Sequence, residues 1–292
     1  SFSPEIVIDM LFYFLETKLI NTLVKQNKYC YFCRMNSSLK ITFLGTGTSQ
    51  GIPVIASEHP VCKSNDLKDK RLRVSILISW DHYNYVIDCG PDFRQQMLRA
   101  NCSKIDGILL THEHNDHTAG IDDVRPFYFK QGAISFFAQK QVFKNLHQRF
   151  SYIFETEHKY PGSPTLNEIE ISKSSSFQAG GKQIIPVEVL HGSLPILGFR
   201  IDDFTYLTDV KTIAEEELNK IKGTSILVIN ALRKEKHHSH LSLDEALEII
   251  TIINPKKAYL THISHLLGFH SEIEKELPDN VFVAYDTLKL TL

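Results

Sequence analysis

The chain has 292 residues, 42% apolar and 23% charged, the proportions of a soluble globular protein with one large domain or two small ones. Its formal net charge of −2 removes any bulk electrostatic case for binding nucleic acid or an anionic membrane. Five cysteines (Cys30, Cys33, Cys62, Cys89, Cys102) are an odd count in a chain too large to need disulfide staples, which points to a reducing, cytoplasmic setting.

Residues 6–15 (IVIDMLFYFL) are apolar but broken by Asp9 and too short to span a bilayer. With no basic region and no small-residue cleavage site, they also make a poor signal peptide. Met35 stands just before a strong globular start, SLKITFLGTGTSQG. Residues 1–34 are therefore expected to be an N-terminal extension, and 35–292 the globular domain. Cys30-x-x-Cys33 lies in that extension; without a second pair it is a weak zinc signal.

Strand and helix signals then alternate. LKITFL (39–44) reads as a buried strand closed by the Gly45-Thr46-Gly47-Thr48 turn. VSILISW (74–80) and YNYVID (83–88) read as a hairpin turning at Asp81-His82. Gly90-Pro91-Asp92 starts a helix to about Arg99, with Pro91 in its first turn. DGILLT (106–111) is a strand that ends on a histidine cluster. Residues 125–180 are less regular, with a helix over AQKQVFKNLHQRF and an aromatic, loop-like stretch from Ser151 to Pro164. QIIPVEVL (183–190), GFRI (198–201), TYLTD (205–209), SILVIN (225–230) and KKAYLT (256–261) are strands, with a helix near 211–221. Ser242 and Glu245 have capping-box spacing, so a helix should run from there to about Ile253. VFVAYD and LKLTL read as a closing hairpin. Many strands with helices spread between them argue for a layered α/β architecture.

Nine of the fourteen histidines cluster at 112–117, 237–240 and 262–270. His112-x-His114-x-Asp116-His117 sets three imidazoles and a carboxylate within six residues just after an apolar strand. Nitrogen and carboxylate oxygen suit zinc, iron or manganese. A surface loop that merely happens to be His-rich is the competing explanation.

The pattern resembles the metallo-β-lactamase superfamily, whose signature is HxHxDH. The resemblance spans about residues 38–292 and implies an α/β, four-layer αββα sandwich of two mixed β-sheets flanked by helices. It implies two divalent metals, zinc or manganese. His112, His114 and His191 would hold one, and Asp116, His117 and His262 the other. Asp209 would bridge them and Asp88 would support a ligand from behind. FLGTGTSQGIP, VCKSNDLKDKRLR, IDDVRPF, His238-Ser239-His240-Leu241 and LTHISH narrow the resemblance to the phosphodiesterase of the carbon–phosphorus lyase pathway and its relatives. tRNase Z is a more distant relative. In that branch the residue matching His240 is the proposed general acid, and Asp116 and Asp209 join it in the catalytic set. That enzyme's extra structural zinc site is matched in spacing by Ser57, His59, Cys62 and His265; three of the four are good zinc ligands, so either one additional zinc is held there, with water or Ser57 as fourth ligand, or the site is lost and these residues only pack.

The sequence thus points to a hydrolase acting on a small cyclic or nucleotide-like phosphodiester, with no membrane partner and with a homodimer among the allowed assemblies. A tRNase Z-like ribonuclease is disfavoured by the negative charge and the lack of a long basic arm. A thioester or lactone hydrolase on the same fold is a further candidate, and a non-catalytic ligand carrier is a candidate of a different class. Arg94, Asp122, Asp123 and Arg125 read equally as a phosphate clamp or as structural ion pairs. Tyr152, Phe154 and Tyr160 read as cover for a base or sugar, or as packing.

Overall fold

The computed structural model describes residues 38–292. The expected extension and its Cys30/Cys33 pair lie outside the described residues. Among the described residues, fourteen strands form two sheets of seven. The first holds β1 (Lys40–Gly45), β2 (Ser75–Trp80), β3 (Tyr83–Ile87), β4 (Gly107–Leu109), β5 (Ile134–Ala138), β6 (Leu166–Glu170) and, at its far edge, β14 (Lys289–Thr291). The second holds β7 (Phe177–Ala179), β8 (Lys182–His191), β9 (Leu194–Ile201), β10 (Phe204–Tyr206), β11 (Ile226–Asn230), β12 (Lys257–Thr261) and β13 (Val281–Val283).

Both sheets are mixed in the same way. β14-β1-β2-β3 pair antiparallel and β3-β4-β5-β6 parallel. β7-β8-β9-β10 pair antiparallel and β10-β11-β12-β13 parallel. Strands covered on both faces are apolar throughout. All five residues of β11 are buried, which is why SILVIN shows no alternation.

The outer face of the first sheet packs Leu77, Val86, Ile108 and Phe136 against Phe93 and Met97 of the helix Phe93–Ala100 and Val142, Phe143 and Leu146 of the helix Lys140–Arg149. The outer face of the second packs Leu227, Ile229 and Leu260 against Leu243, Ala246, Ile250 and Ile253 of the helix Leu243–Ile253. Between the sheets, Phe43 meets Tyr259 with ring centroids 6.0 Å apart, and Phe137 stacks on Phe177 at 5.1 Å. Helix, sheet, sheet, helix is the expected four-layer sandwich.

Most elements fall where the pattern puts them, including the capping box at Ser242 and Glu245. Two readings are corrected. VFVAYD and LKLTL are not a hairpin: β13 extends the second sheet parallel to β12, while β14 closes the first sheet antiparallel to β1. Asp286 between them is tied to first-sheet loops, accepting from Thr46 Oγ1 (2.8 Å) and the Leu72 N–H (2.9 Å), which turns the chain across. Pro91 lies ahead of its helix, whose N-cap is Asp92. The irregular middle also contains β5 and β6. No helix among the described residues is long and apolar enough to cross a membrane.

Candidate metal centre

The site residues stand at strand ends along one edge of the sandwich. Asp88 follows β3, His112 follows β4, His191 ends β8, Asp209 follows β10 and His262 follows β12. Asp88, Asp209 and His262 all have left-handed backbones (φ 64°, 57° and 53°). Non-glycine residues adopt this region at a cost of about 1–2 kcal/mol each, and such strain gathers at functional sites. Each turn swings a side chain off its strand into the gap between the sheets.

Two glycines let the loops meet. A Cβ on Gly90 would lie 1.9 Å from the Asp116 carbonyl oxygen, and one on Gly120 would lie 2.2 Å from the Gly90 carbonyl oxygen. The contact is sealed by the Cys89 N–H bonding to the His117 carbonyl (2.9 Å) and the Gly120 N–H to the Cys89 carbonyl (2.8 Å).

The donor atoms fall into three compact groups, each within 4.8 Å: His112, His114, His191; Asp116, His117, Asp209, His262; and His191, Asp209, His240. Asp209 is shared. Its Oδ2 lies 3.3 Å from His117 Nε2 and 3.2 Å from His262 Nδ1, and its Oδ1 lies 3.0 Å from His240 Nε2. All seven expected ligands, together with His240, are thus brought together.

Most of these imidazoles have their outer nitrogen committed. His117 Nδ1 pairs with Asp88 (2.7 Å), His112 Nδ1 with Thr111 Oγ1 (3.0 Å), His191 Nδ1 with the Ser239 carbonyl (2.9 Å) and His262 Nε2 with Thr48 Oγ1 (3.1 Å). Thr111 also donates its N–H and hydroxyl to Asp88 (both 2.9 Å at best). This is how proteins aim histidine at a metal. Thr48, Thr111 and Ser239 had no signal in the sequence, because lone hydroxyls and carbonyls near a motif carry none.

A divalent metal fits this donor set. His112 Nε2 and His117 Nε2 are buried and without hydrogen-bond partners, although Asp116 Oδ2 is 3.2 Å from the latter. Buried polar atoms without partners are rare and need a reason. Burial pushes the fully enclosed His112 well below its ordinary pKa, leaving a neutral imidazole with a free lone pair. Burial would lower His117 too, but Asp116, Asp209 and Asp88 outweigh it and raise that imidazole well above its usual value. Three carboxylates around one ring demand a positive charge there, which a proton or a metal supplies. Burial opposes the Asp209 and Asp116 carboxylates, yet the facing imidazoles hold both below the usual range.

The other expected residues are less concentrated. His59 and His265 rings meet at 4.9 Å, and His265 Nδ1 is buried without a partner. His59 Nδ1 accepts from the Val61 N–H, Ser57 Oγ from the His59 N–H, and Cys62 Sγ from the Val54 N–H. Among the described residues these donors do not form a compact group of three. Arg125 pairs with Asp122 at 2.6 Å, and Tyr152 donates to the same carboxylate, so those residues are linked to one another. Phe154 stacks on His147 at 4.0 Å, while Tyr160 is exposed.

A family model described as the β-lactamase superfamily domain matches residues 83–263. A crystal structure of a diphosphatase from the PhnP family is 36% identical, with a TM-score of 0.82, covering 87% of this chain and 97% of that one. The chain belongs to the β-lactamase superfamily and, within it, to the PhnP family, as a metallo-β-lactamase-fold hydrolase. An octanoyltransferase of Porphyromonas gingivalis is 38% identical over 253 residues, 86% of this chain and 51% of that protein. A ribonuclease Z of Methanococcus maripaludis is 34% identical over 85 residues, 28% of this chain and 22% of that protein. The chain thus spans about half the length of the first curated relative and less of the second.

Proposed function

We propose that this protein is a dinuclear metal-dependent phosphodiesterase acting on a small cyclic or nucleotide-like phosphodiester, with zinc or manganese as cofactor, in a reducing cytoplasm. The observation that supports it most is the place of Asp209. One oxygen faces His117 and His262, the other faces His240, and His191 joins its group to that of His112 and His114. His112, His114 and His191 would hold one ion, Asp116, His117 and His262 the other, and Asp209 both. When bound, the two ions supply Lewis-acid binding of phosphoryl oxygens and a hydroxide nucleophile at neutral pH.

The remaining work belongs to this chain. Asp209 keeps carboxylate charge between the two donor groups. Asp88 and Thr111 fix the tautomer of His117. His240 presents Nε2–H at the rim of the site, where it can protonate a departing alkoxide.

The test is hydrolysis of bis-(p-nitrophenyl) phosphate and cyclic nucleotides with Mn²⁺ or Zn²⁺, together with elemental analysis. The wild type should turn over at least one and carry about two metals per chain. Asp209→Ala should lose about 10²-fold or more in kcat together with metal, since it removes a shared ligand. A wild type inert on all of these with both metals sinks the phosphodiesterase reading. A third equivalent that is lost in Cys62→Ser would assign the site at His59, Cys62 and His265.

A second reading has one observation behind it, the relative named as an octanoyltransferase. That name describes a protein of which this chain spans about half, so a thioester or lactone hydrolase on the same fold is the runner-up for this chain. An octanoyl-thioester panel separates the two.

A further inference from the structure

Four of the five histidines in the two ligand groups have an outer nitrogen held by a hydrogen-bond partner. His114 is the fifth. It is exposed, and among the described residues its ring makes no side-chain hydrogen bond. Its ring faces His112 at 4.5 Å and His191 at 5.1 Å between centroids. With no hydrogen bond from the ring, the direction of its donor atom depends on the backbone of the loop and on these two neighbouring rings.

That backbone is clamped from outside by one side chain. Arg149 Nη1 donates to the Glu113 carbonyl at 2.8 Å and to Thr118 Oγ1 at 2.9 Å, and Nη2 donates to Asn115 Oδ1 at 2.8 Å. Thr118 Oγ1 in turn donates to the His114 carbonyl at 2.9 Å. The anchored atoms lie on both sides of His114 in the chain. Arg149 closes the helix Lys140–Arg149, which Val142, Phe143 and Leu146 bury against the first sheet, so the guanidinium is delivered from a rigid element. Its planar fork reaches three acceptors at once, which an ammonium on a flexible stem does not.

We infer that Arg149 is a positioning residue for His114, and that it sets the affinity of the donor group His112, His114, His191 for its metal. This rests on the metal reading above. Among the described residues Arg149 makes no hydrogen bond to a ligand side chain, and it is itself exposed, so its removal leaves no cavity in the core. Its effect should be confined to one of the two metals, because the other group is fixed by Asp88, Thr48 and the Cys89–His117 backbone bond.

The metal-free full chain, wild type and variants, is titrated with Co²⁺ against a competing chelator, following the visible absorption, and the metal-free melting temperature is taken alongside. Wild type should bind about two equivalents. Arg149→Ala should bind one as wild type does and the other roughly 10–100-fold more weakly, the scale of losing an outer contact to a ligand. The weakened equivalent should be the one that His114→Ala abolishes, and the metal-free melting temperature should hold. Arg149→Lys should fall between wild type and alanine. Unchanged binding of both equivalents by Arg149→Ala overturns the inference. So does equal weakening of both with a lowered metal-free melting temperature, which marks general destabilisation. If wild type binds no cobalt, the metal reading itself fails, and this inference with it.

Discussion

His240 holds Nε2 3.0 Å from Asp209 Oδ1, while its Nδ1 faces Ser239 Oγ at 3.0 Å and His237 Nδ1 at 3.2 Å. A residue that protonates a leaving group matters in proportion to how badly that group leaves. p-Nitrophenolate departs readily without a proton; a sugar or alkyl alkoxide does not. His240→Gln, which retains a donor but no transferable proton, should therefore cost about 10²–10⁴-fold in kcat on an alkyl phosphodiester. On bis-(p-nitrophenyl) phosphate the loss should be at least tenfold smaller. Equal losses on both substrates would assign His240 a ligand or packing role instead. The HxHxDH run could be read because its four candidate ligands fall within six neighbouring residues whose types and spacing carry the chemistry. The residues that aim them could not be read: Thr48 and His262 meet across 214 positions, and Arg149 reaches Glu113 across 36. Pattern in a single chain reports local periodicity, and these contacts exist only after folding.

At the scale of elements, the strand ends do the placing. Asp88, Asp209 and His262 leave their strands through the same left-handed turn, a regularity invisible in VID, TYLTD and AYLTH. The closing strands show the same limit from the other side. VFV is a short apolar run and LKL alternates, both strand patterns, but such a pattern never names a partner, so the tail could be assigned to strands without being assigned to sheets. Gly90 shows how tightly the elements close around the site. Gly90→Ala places a methyl 1.9 Å from the Asp116 carbonyl oxygen in the His112–His117 loop, so the loop must move. The expected result is about 1–3 kcal/mol of destabilisation in urea melts, on the scale of overpacking, together with reduced metal content. Gly181→Ala is the control. Its φ of 77° strains an alanine, yet nothing lies within 4 Å, so about 1 kcal/mol and normal metal content are expected. Full metal content in Gly90→Ala would show that the loop can relax without moving its ligands.

At the scale of the whole molecule, a buried polar cluster joins the first and last parts of the described residues. Arg71, fully buried, donates to Thr46 Oγ1 at 2.8 Å and lies 3.3 Å from His270 Nδ1. Thr46 donates to Asp286, and the His270 N–H donates to Asp69 at 2.8 Å. Burial, Arg71 and Lys68 together push His270 down to about 4, outweighing Asp66 and Asp69; Glu274 at 4.0 Å and the edge-on Tyr285 ring complete its surroundings. The folded chain therefore keeps this imidazole neutral, while in the unfolded chain it protonates near 6.5. Between those values the unfolded state binds the extra proton, so the contribution to stability is full above about pH 6.5 and drains away as pH falls toward about 4. His270→Gln keeps an acceptor for Arg71 and cannot titrate. In the metal-free protein, wild type should lose about 1–2 kcal/mol more than this variant between pH 7 and pH 5. The imidazoles of the metal centre are common to both chains and cancel in the difference. Chemical denaturation at the two pH values reads it directly, and parallel losses would mean that His270 is protonated in the folded state, with Arg71 turned away from it.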